Sequence, residues 1–276
     1  LGTSARDALD GAITAIAAAG CQTPRLDAEL LLAHVLGVTR ERLLIDDLRV
    51  QGAAVRAYQD AVRRRAVLRE PVAYIIGERG FRHLVLRSDH RALVPRPETE
   101  LLVEIGLGLP SGAAVLDVGT GSGAVALALA QERPDLLVSA SDASEQALAL
   151  ARENAARLGL SVTFTCADLL AGIPDEHDAI LANLPYVADG ERAALSPEIV
   201  RHEPPLALFA GADGLDAIRS LCAQVRRRER VRLLALEHSG GQAPGVRELV
   251  SDAGFTEVGS ICDLAGIERA TLGKRQ

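Results

Sequence analysis

An α/β fold, a largely parallel, doubly wound sheet preceded by a helical N-terminal region, is predicted by three observations. Residues 1–75 carry apolar residues at helical spacing and no run that reads as a strand. From residue 112 onward, short aliphatic runs alternate with amphipathic stretches, the signature of βαβ units with helices on both faces of a sheet. After residue 254 the alternation stops. FTEVGSI and IERATLG are joined only by CDLAG, too short for a crossover, so these two strands must run antiparallel.

Each element follows in order. Arg6 to Ala19 is an amphipathic helix stopped by Gly20, and Leu26 to Gly37 a second, with Gly37 as its C-cap. Thr39 caps a short helix at ERLL, and a long helix runs from about Gly52 to Arg69, ended by Pro71. Arg63, Arg64, Arg65 and Arg69 give it a local basic face, read either as solvated surface or as a docking surface for an acidic or RNA-bound partner. FRHLVLRSDHRALVP holds two apolar runs around SDH and predicts a linking β-hairpin within 79–95. Pro95 and Pro97 stiffen the next loop, and Thr99 caps the helix LLVEIGLGL. Strands are expected at 113–118, 137–141, 161–166, 178–182 and 231–237, with helices at 122–131, 144–158, 212–228 and 242–253. The final strands, 255–261 and 267–272, join the same sheet.

Composition narrows the class. Of 276 residues, 48% are hydrophobic and 24% charged, which excludes a mostly disordered chain. Aromatics are only 3%, so the core must be aliphatic. A formal charge of -7 argues against a broad nucleic-acid binder. Cys21, Cys166, Cys222 and Cys262 form no CxxC pair, so neither a metal site nor a disulfide framework is expected, and reduced thiols suit the cytoplasm. No apolar run reaches the roughly 18 residues of a membrane span. The N-terminal stretch carries Asp7 and Asp10 and no basic leader, and reads as the first helix rather than a signal peptide.

The chemistry begins at VLDVGTGSGAVALALA, residues 115–130, a strand, a glycine loop and a helix. Gly119 and Gly121 permit a tight turn and close ligand approach, and Gly123 permits close packing at the helix start. The spacing is GxGxG, and Asp117 precedes the loop. A pyrophosphate favours an uncluttered helix N-terminus, whereas an acid suits a cationic ligand such as the amino-acid end of S-adenosylmethionine. Asp142 ends the next strand, 23 residues after Gly119, where a carboxylate can accept both ribose hydroxyls. Asp168 follows the third strand and can accept from the adenine amine, while Leu169 packs on the ring.

Asn183-Leu184-Pro185-Tyr186 ends the fourth strand and is the predicted reaction centre. An amide or aryl amine nitrogen is a poor nucleophile because its lone pair is delocalised. Acceptors around its hydrogens correct this: Asn183 Oδ1 takes one N–H and the Leu184 carbonyl the other. Pro185 keeps that carbonyl aimed, and Tyr186 stacks on a planar substrate group. Chemistry alone leaves glutamine, asparagine and adenine open as acceptors.

The whole chain resembles the bacterial protein-(glutamine-N5) methyltransferases of peptide chain release factors, the family called PrmC or HemK. The likeness rests on LDAELLLAHVLG, EPVAYIIGE, VPRPETE, the glycine loop, SDAS at 141–144, NLPYV, GADGLDAIR, LEHSGGQ and DLAGIER. EPVAYIIGE with PRPETE is more specific than the glycine loop, since generic methyltransferases lack it. The resemblance implies a seven-stranded, Rossmann-like methyltransferase domain (79–276) and a helical domain (1–78) that recognises the release factor. It implies S-adenosylmethionine wrapped by Gly119, Thr120, Gly121, Ser122 and Gly123, with Asp142 on the ribose, Leu169 by the adenine, and the substrate glutamine at Asn183 through Tyr186. The partner it implies is the GGQ loop of a release factor. A cytoplasmic monomer with no membrane and no direct nucleic-acid substrate is expected. The family's usual NPPY is NLPY here, which also resembles the motif of ribosomal RNA adenine-N6 methyltransferases, and Leu169 stands where the family has an aromatic. The carbonyl survives the change, and stiffness is what is lost. LEHSGGQ matches only loosely, so His238 and Gln242 are expected to be structural. The rivals are an adenine-N6 methyltransferase and a non-enzymatic docking protein using the Arg63–Arg69 face.

Overall fold

The computed structural model describes residues 2–275 and falls into two compact units. One holds the residues up to Glu78 together with Ser196–His202, and the other Arg79–Leu195 together with the residues from Glu203 on. A division of the sequence at 78/79 alone does not foresee that Ser196–His202 groups with the first unit.

The first unit contains β1 (Thr3–Ser4), α1 (Ala5–Ala18), α2 (Pro24–Leu36), α3 (Arg40–Ile45), β2 (Arg49–Val50), α4 (Ala53–Ala66) and α5 (Val72–Ile76). Ser4 and Thr39 cap α1 and α3 through their side-chain oxygens, and Gly37, at φ 64°, ends α2 in the left-handed region. The core is built from Ile16, Leu31, Leu32 and Leu43, with Tyr58 donating its buried hydroxyl to the Ala28 carbonyl at 3.2 Å. Three expectations need correction. The unit does contain strand: β1 and β2 pair antiparallel over two residues each, too short to show any period. The long helix stops at Ala66, and Arg69 turns to φ 58°. Pro71 is the N-cap of α5 rather than simply a terminator.

The basic face is also dissolved. Arg65 is buried, donating to Asp27 at 2.6 Å and pairing with Glu198 at 2.8 Å. Arg69 reaches Glu198 at 2.7 Å and the Ala19 carbonyl at 2.5 Å. Arg64 holds Glu70 through two bonds, and Arg63 pairs with Asp60. Charges so committed do not form a free cationic surface, which removes the main support for a docking protein built on them.

β3 (Glu78–Phe81), whose first residue closes the first unit, and β4 (Leu84–Arg87) open the second. A hairpin is present, but its turn is Arg82–His83 rather than SDH. Arg82 takes φ 49°, held by its amide on Glu100 and its guanidinium on Glu104 and Glu132. Asp89 of SDH instead receives the guanidinium of Arg91. A 3-10 turn (Pro97–Thr99) leads into α6 (Glu100–Leu107). Then come β5 (Ala114–Val118), α7 (Ala124–Glu132), β6 (Leu137–Asp142), α8 (Glu145–Leu158), β7 (Thr163–Cys166) and β8 (Ala179–Ala182). After α9 (Pro197–His202), which belongs to the first unit, follow α10 (Asp216–Val225), β9 (Leu233–Glu237), α11 (Ala243–Asp252), β10 (Glu257–Cys262) and β11 (Glu268–Lys274).

The seven strands order as β10-β11-β9-β8-β5-β6-β7, parallel from β9 through β7 and antiparallel across β11 and β10. Successive residues of the central strands feed opposite faces. Leu116, Ile180 and Leu234 pack with Ile218 and Leu221 of α10 and Val246 of α11. Val115, Leu181 and Ala235 pack with Leu102 of α6 and Leu127 of α7. Both faces are therefore dry, and the polar ends of the parallel strands emerge together at their carboxyl edge, where the order reverses beside β5. Among the described residues no helix is long and apolar enough to cross a membrane.

Candidate active site

At that edge lies a cavity of about 630 Å³. Asp117, Gly119, Thr120, Gly121 and Ser122 form its floor, Asp142, Asp168 and Leu169 one wall, and Asn183, Leu184 and Pro185 another. Two of the candidate residues stand outside the lining: Gly123, packed close to Leu127 and Ala151, and Tyr186, whose hydroxyl meets Glu237.

The glycine loop takes its shape from left-handed backbone and from acids below it. Gly119, Gly121 and Gly123 have φ of 73°, 57° and 87°. A Cβ on Gly123 would stand 2.9 Å from Leu127 Cδ1 and 3.3 Å from Ala151 Cβ, so this glycine also answers to packing. Asp117, 2% exposed, accepts from the Thr120 hydroxyl at 2.6 Å and the Ala126 amide at 3.2 Å, both through Oδ2. Burial pushes its titration up to about 6, aided by Asp142, against the pull of those two bonds. Asp142 accepts the Gly121 amide at 2.9 Å and the Ser144 amide at 2.8 Å, which fixes the loop against the end of β6. Its titration is also raised, by burial first. Ser144 itself caps α8. Asp168 is exposed on the wall, and Leu169 holds φ 53°, a conformation costly for a side chain with a Cβ.

Asn183 donates through Nδ2 to the Thr99 hydroxyl oxygen at 2.9 Å. Its Oδ1 takes no donor from the described residues. Leu184 is buried in the core below, its side chain reaching within 3.1 Å of where a Cβ on Gly119 would stand, so the glycine loop and the NLPY turn are packed together. Tyr186 is half-buried. Its hydroxyl donates to Glu237 Oε1 at 3.3 Å, and burial, then the Glu237 charge, raise its titration.

The positively charged side chains on the cavity wall are committed. Arg91 is held by Asp89 and Glu153, and Arg96 by both oxygens of Glu203. The cavity thus presents unpaired acids and paired cations, a poor site for a pyrophosphate and a suitable one for a ligand carrying an amine and hydroxyl donors.

Comparison with known proteins agrees with this geometry. A model described as the PrmC N-terminal domain matches residues 7–77, and one described as the methyltransferase small domain matches residues 97–205. The release factor glutamine methyltransferase of Cereibacter sphaeroides is 43% identical over 96% of this chain and 96% of its own length. That of Mycolicibacterium smegmatis is 40% identical over 99% and 98%. The chain belongs to the release factor glutamine methyltransferase family. The catalytic domain of hMettl16, solved with the MAT2A 3'UTR hairpin 6, superposes with a TM-score of 0.55 over 83% of this chain and 85% of that one. At 14% identity that likeness speaks to the fold alone.

Beside the motifs of the family, the structure gives contacts that sequence reasoning did not foresee, at residues it passed over or read only as structural. Thr99, expected to be a helix cap, makes no side-chain capping bond and holds Asn183 instead. Glu237 ends β9 as Asp142 ends β6. An acid closing a buried apolar strand, LLALE, was the available signal. Asn154, fully buried on α8, exchanges bonds with both backbone groups of Arg87 and donates to the Ser122 carbonyl at 3.0 Å, pinning the glycine loop to the hairpin. Gln242 donates to the Tyr186 carbonyl at 3.0 Å and the Asp213 carbonyl at 3.1 Å. His238 is buried between the Ser239 carbonyl and the Thr271 hydroxyl. Neither lines the cavity.

Proposed function

We propose that this family member transfers a methyl group from S-adenosylmethionine to the side-chain amide N5 of the glutamine in the GGQ motif of peptide chain release factors. The observation that carries the reading is the Asn183 side chain: Thr99 occupies its Nδ2, so the amide offers an acceptor to the cavity. A primary amide nitrogen needs acceptors on its hydrogens to present its lone pair, and the Leu184 carbonyl is the second. Pro185 restrains the backbone that aims it. Tyr186, anchored at both its hydroxyl and its carbonyl, forms a rigid backing for the substrate side chain.

The residues present fit the cofactor. Asp117, Asp142 and Asp168 stand at the ends of three consecutive parallel strands with acceptor capacity and no cation opposite them, which suits in turn an amino group, ribose hydroxyls and an adenine amine. Gly119, Thr120, Gly121, Ser122 and Gly123 would wrap the methionine part, and Leu169 would lie by the adenine. When bound, the cofactor supplies an electrophilic methyl group. The helical unit would recognise the body of the release factor, and glycines flanking the glutamine would let a thin loop enter the cavity. On this reading the enzyme works in the cytoplasm as a monomer.

The test incubates the purified protein with labelled methyl donor and an unmodified release factor, with tRNA, rRNA and DNA as parallel acceptors. Tandem mass spectrometry is expected to locate the added methyl on the GGQ glutamine. Label confined to nucleic acid would replace this reading with adenine-N6 methylation.

A further inference from the structure

The segment LEHSGGQ, residues 236–242, meets Tyr186 twice, although none of it lines the cavity. Glu237, the last residue of β9, accepts the Tyr186 hydroxyl through Oε1 at 3.3 Å. A tight turn follows, in which the Gln242 amide donates to the Ser239 carbonyl at 3.1 Å and Gly241 takes φ 91°. From that turn the Gln242 side chain reaches Tyr186 again. Its Nε2 donates to the Tyr186 carbonyl at 3.0 Å and to the Asp213 carbonyl at 3.1 Å, while its Oε1 accepts the Ser239 amide at 2.9 Å.

These partners leave the Gln242 amide one orientation. Turned over, it would set its oxygen against two carbonyls and its NH₂ against an N–H. Ser239 is fixed in turn. Its carbonyl accepts from Nδ1 of the fully buried His238 at 3.0 Å, so His238 Nε2 is left to accept the Thr271 hydroxyl at 2.9 Å. Gly214, at φ 75°, keeps the other side clear. A Cβ there would stand 2.3 Å from the Tyr186 carbonyl oxygen and 2.7 Å from Gln242 Nε2.

We infer that Gln242 is a positioning residue: it holds Tyr186 by the carbonyl while Glu237 holds it by the hydroxyl, and the ring is thereby fixed at both ends. The inference rests on the proposed function for the substrate that Tyr186 backs. The hydroxyl bond alone lets the ring shift with the backbone, and the carbonyl bond alone leaves both side-chain torsions free. Gln242 lies outside the cavity and acts only through Tyr186. A displacement of about 1 Å at a positioning group costs up to about 100-fold in rate.

The experiment measures kcat, and KM for the methyl donor and for a release factor, in the wild type, Gln242→Glu, Gly214→Ala, Tyr186→Ala and the combination of Gln242→Glu with Tyr186→Ala. Fluorine NMR of the full chain follows 3-fluorotyrosine at Tyr58, Tyr74 and Tyr186, the three tyrosines of the sequence. Loss of one resonance in Tyr186→Phe identifies that of Tyr186. Gln242→Glu keeps the acceptor for Ser239 and removes both donors. It is expected to lower kcat by about tenfold or more, with both KM values within about twofold of wild type. The Tyr186 resonance should move or broaden while those of Tyr58 and Tyr74, both in the first unit, stay in place. Gly214→Ala attacks the same bond from another element and should behave alike. In the Tyr186→Ala background, Gln242→Glu should add less than about twofold. Wild-type kcat in Gln242→Glu, a fall in kcat with the Tyr186 resonance unmoved, or a full further loss in the Tyr186→Ala background would overturn the inference. If no release factor is methylated while the Tyr186 resonance alone responds to Gln242→Glu, the proposed function fails and the hold on Tyr186 stands. Should one of the two variants fold poorly, the other decides.

Discussion

In the helical unit, Asp27 and Arg65 are both nearly sealed from solvent and meet at 2.6 Å, and the chain of charges continues to Glu198 and Arg69. Around the cavity of the sheet unit, Asp117 and Glu237 are as deeply buried, yet they meet hydroxyls and a backbone amide rather than cations. The titrations diverge accordingly. Burial pushes Glu198 up, but a backbone amide and its two arginines hold it below the usual range, whereas burial wins at Asp117 and Glu237. Paired charge in one unit serves the fold. In the other, two acids are buried without a cation to meet them, and one of them, Asp117, lines the cavity.

The largest expected effect breaks the paired side. Arg65→Ala leaves Asp27 buried without its cation and should cost about 3–5 kcal/mol of stability by denaturant unfolding. Asp117→Asn should cost far less, since the amide oxygen can still accept from Thr120. Similar losses in both would erase the contrast. On the unpaired side, Asn183→Ala removes one acceptor from the substrate nitrogen and should lower kcat by about 10²–10³. Calorimetric affinity for the cofactor should shift little, and a matching loss there would make Asn183 chiefly a binding residue.

What could be read from the sequence divides along the same line. The sheet was legible because its strands are aliphatic runs of the right length, and the closing hairpin because CDLAG leaves no room for a crossover. The turn of the β3–β4 hairpin was misread because Arg82 is held in a left-handed turn by Glu100, Glu104 and Glu132, acids 18 to 50 residues away. The basic face was misread for the same reason, since Asp27 lies 38 residues from Arg65 and Glu198 129 residues from Arg69. Local pattern shows that a charge exists, and only tertiary contact shows whether it is spent. Thr99 and Glu237 fell in the same gap: each looked like the edge of an element until the fold set it beside NLPY.

Asp142→Ala gives the third test. Its carboxylate fixes the Gly121 and Ser144 amides and has lone pairs left for two ribose hydroxyls. Losing those bonds should weaken binding of S-adenosylmethionine or its demethylated product by about 1.5–3 kcal/mol in isothermal titration. NAD should not bind the wild type, and tight NAD binding would overturn the cofactor assignment.

The smallest effect concerns Asp117 and pH. Its titration in the folded protein is raised to about 6, so the carboxylate is charged above that pH and neutral below it. A cationic amino group nearby favours the charged form. Cofactor affinity should therefore fall as acid protonates Asp117, by about tenfold one unit below its midpoint. Asp142 is raised in the same direction and would add to the fall, so the wild type alone does not separate them. Asp117→Asn does. It keeps an acceptor for Thr120 and Ala126 but carries no charge at any pH. The variant should bind more weakly than the wild type at neutral pH and lose most of the slope near 6, retaining only what Asp142 contributes. An unchanged slope in Asp117→Asn would mean that the buried acid under the glycine loop only shapes the loop, as Asn154 does from the other side, and that the ligand's amine is met elsewhere.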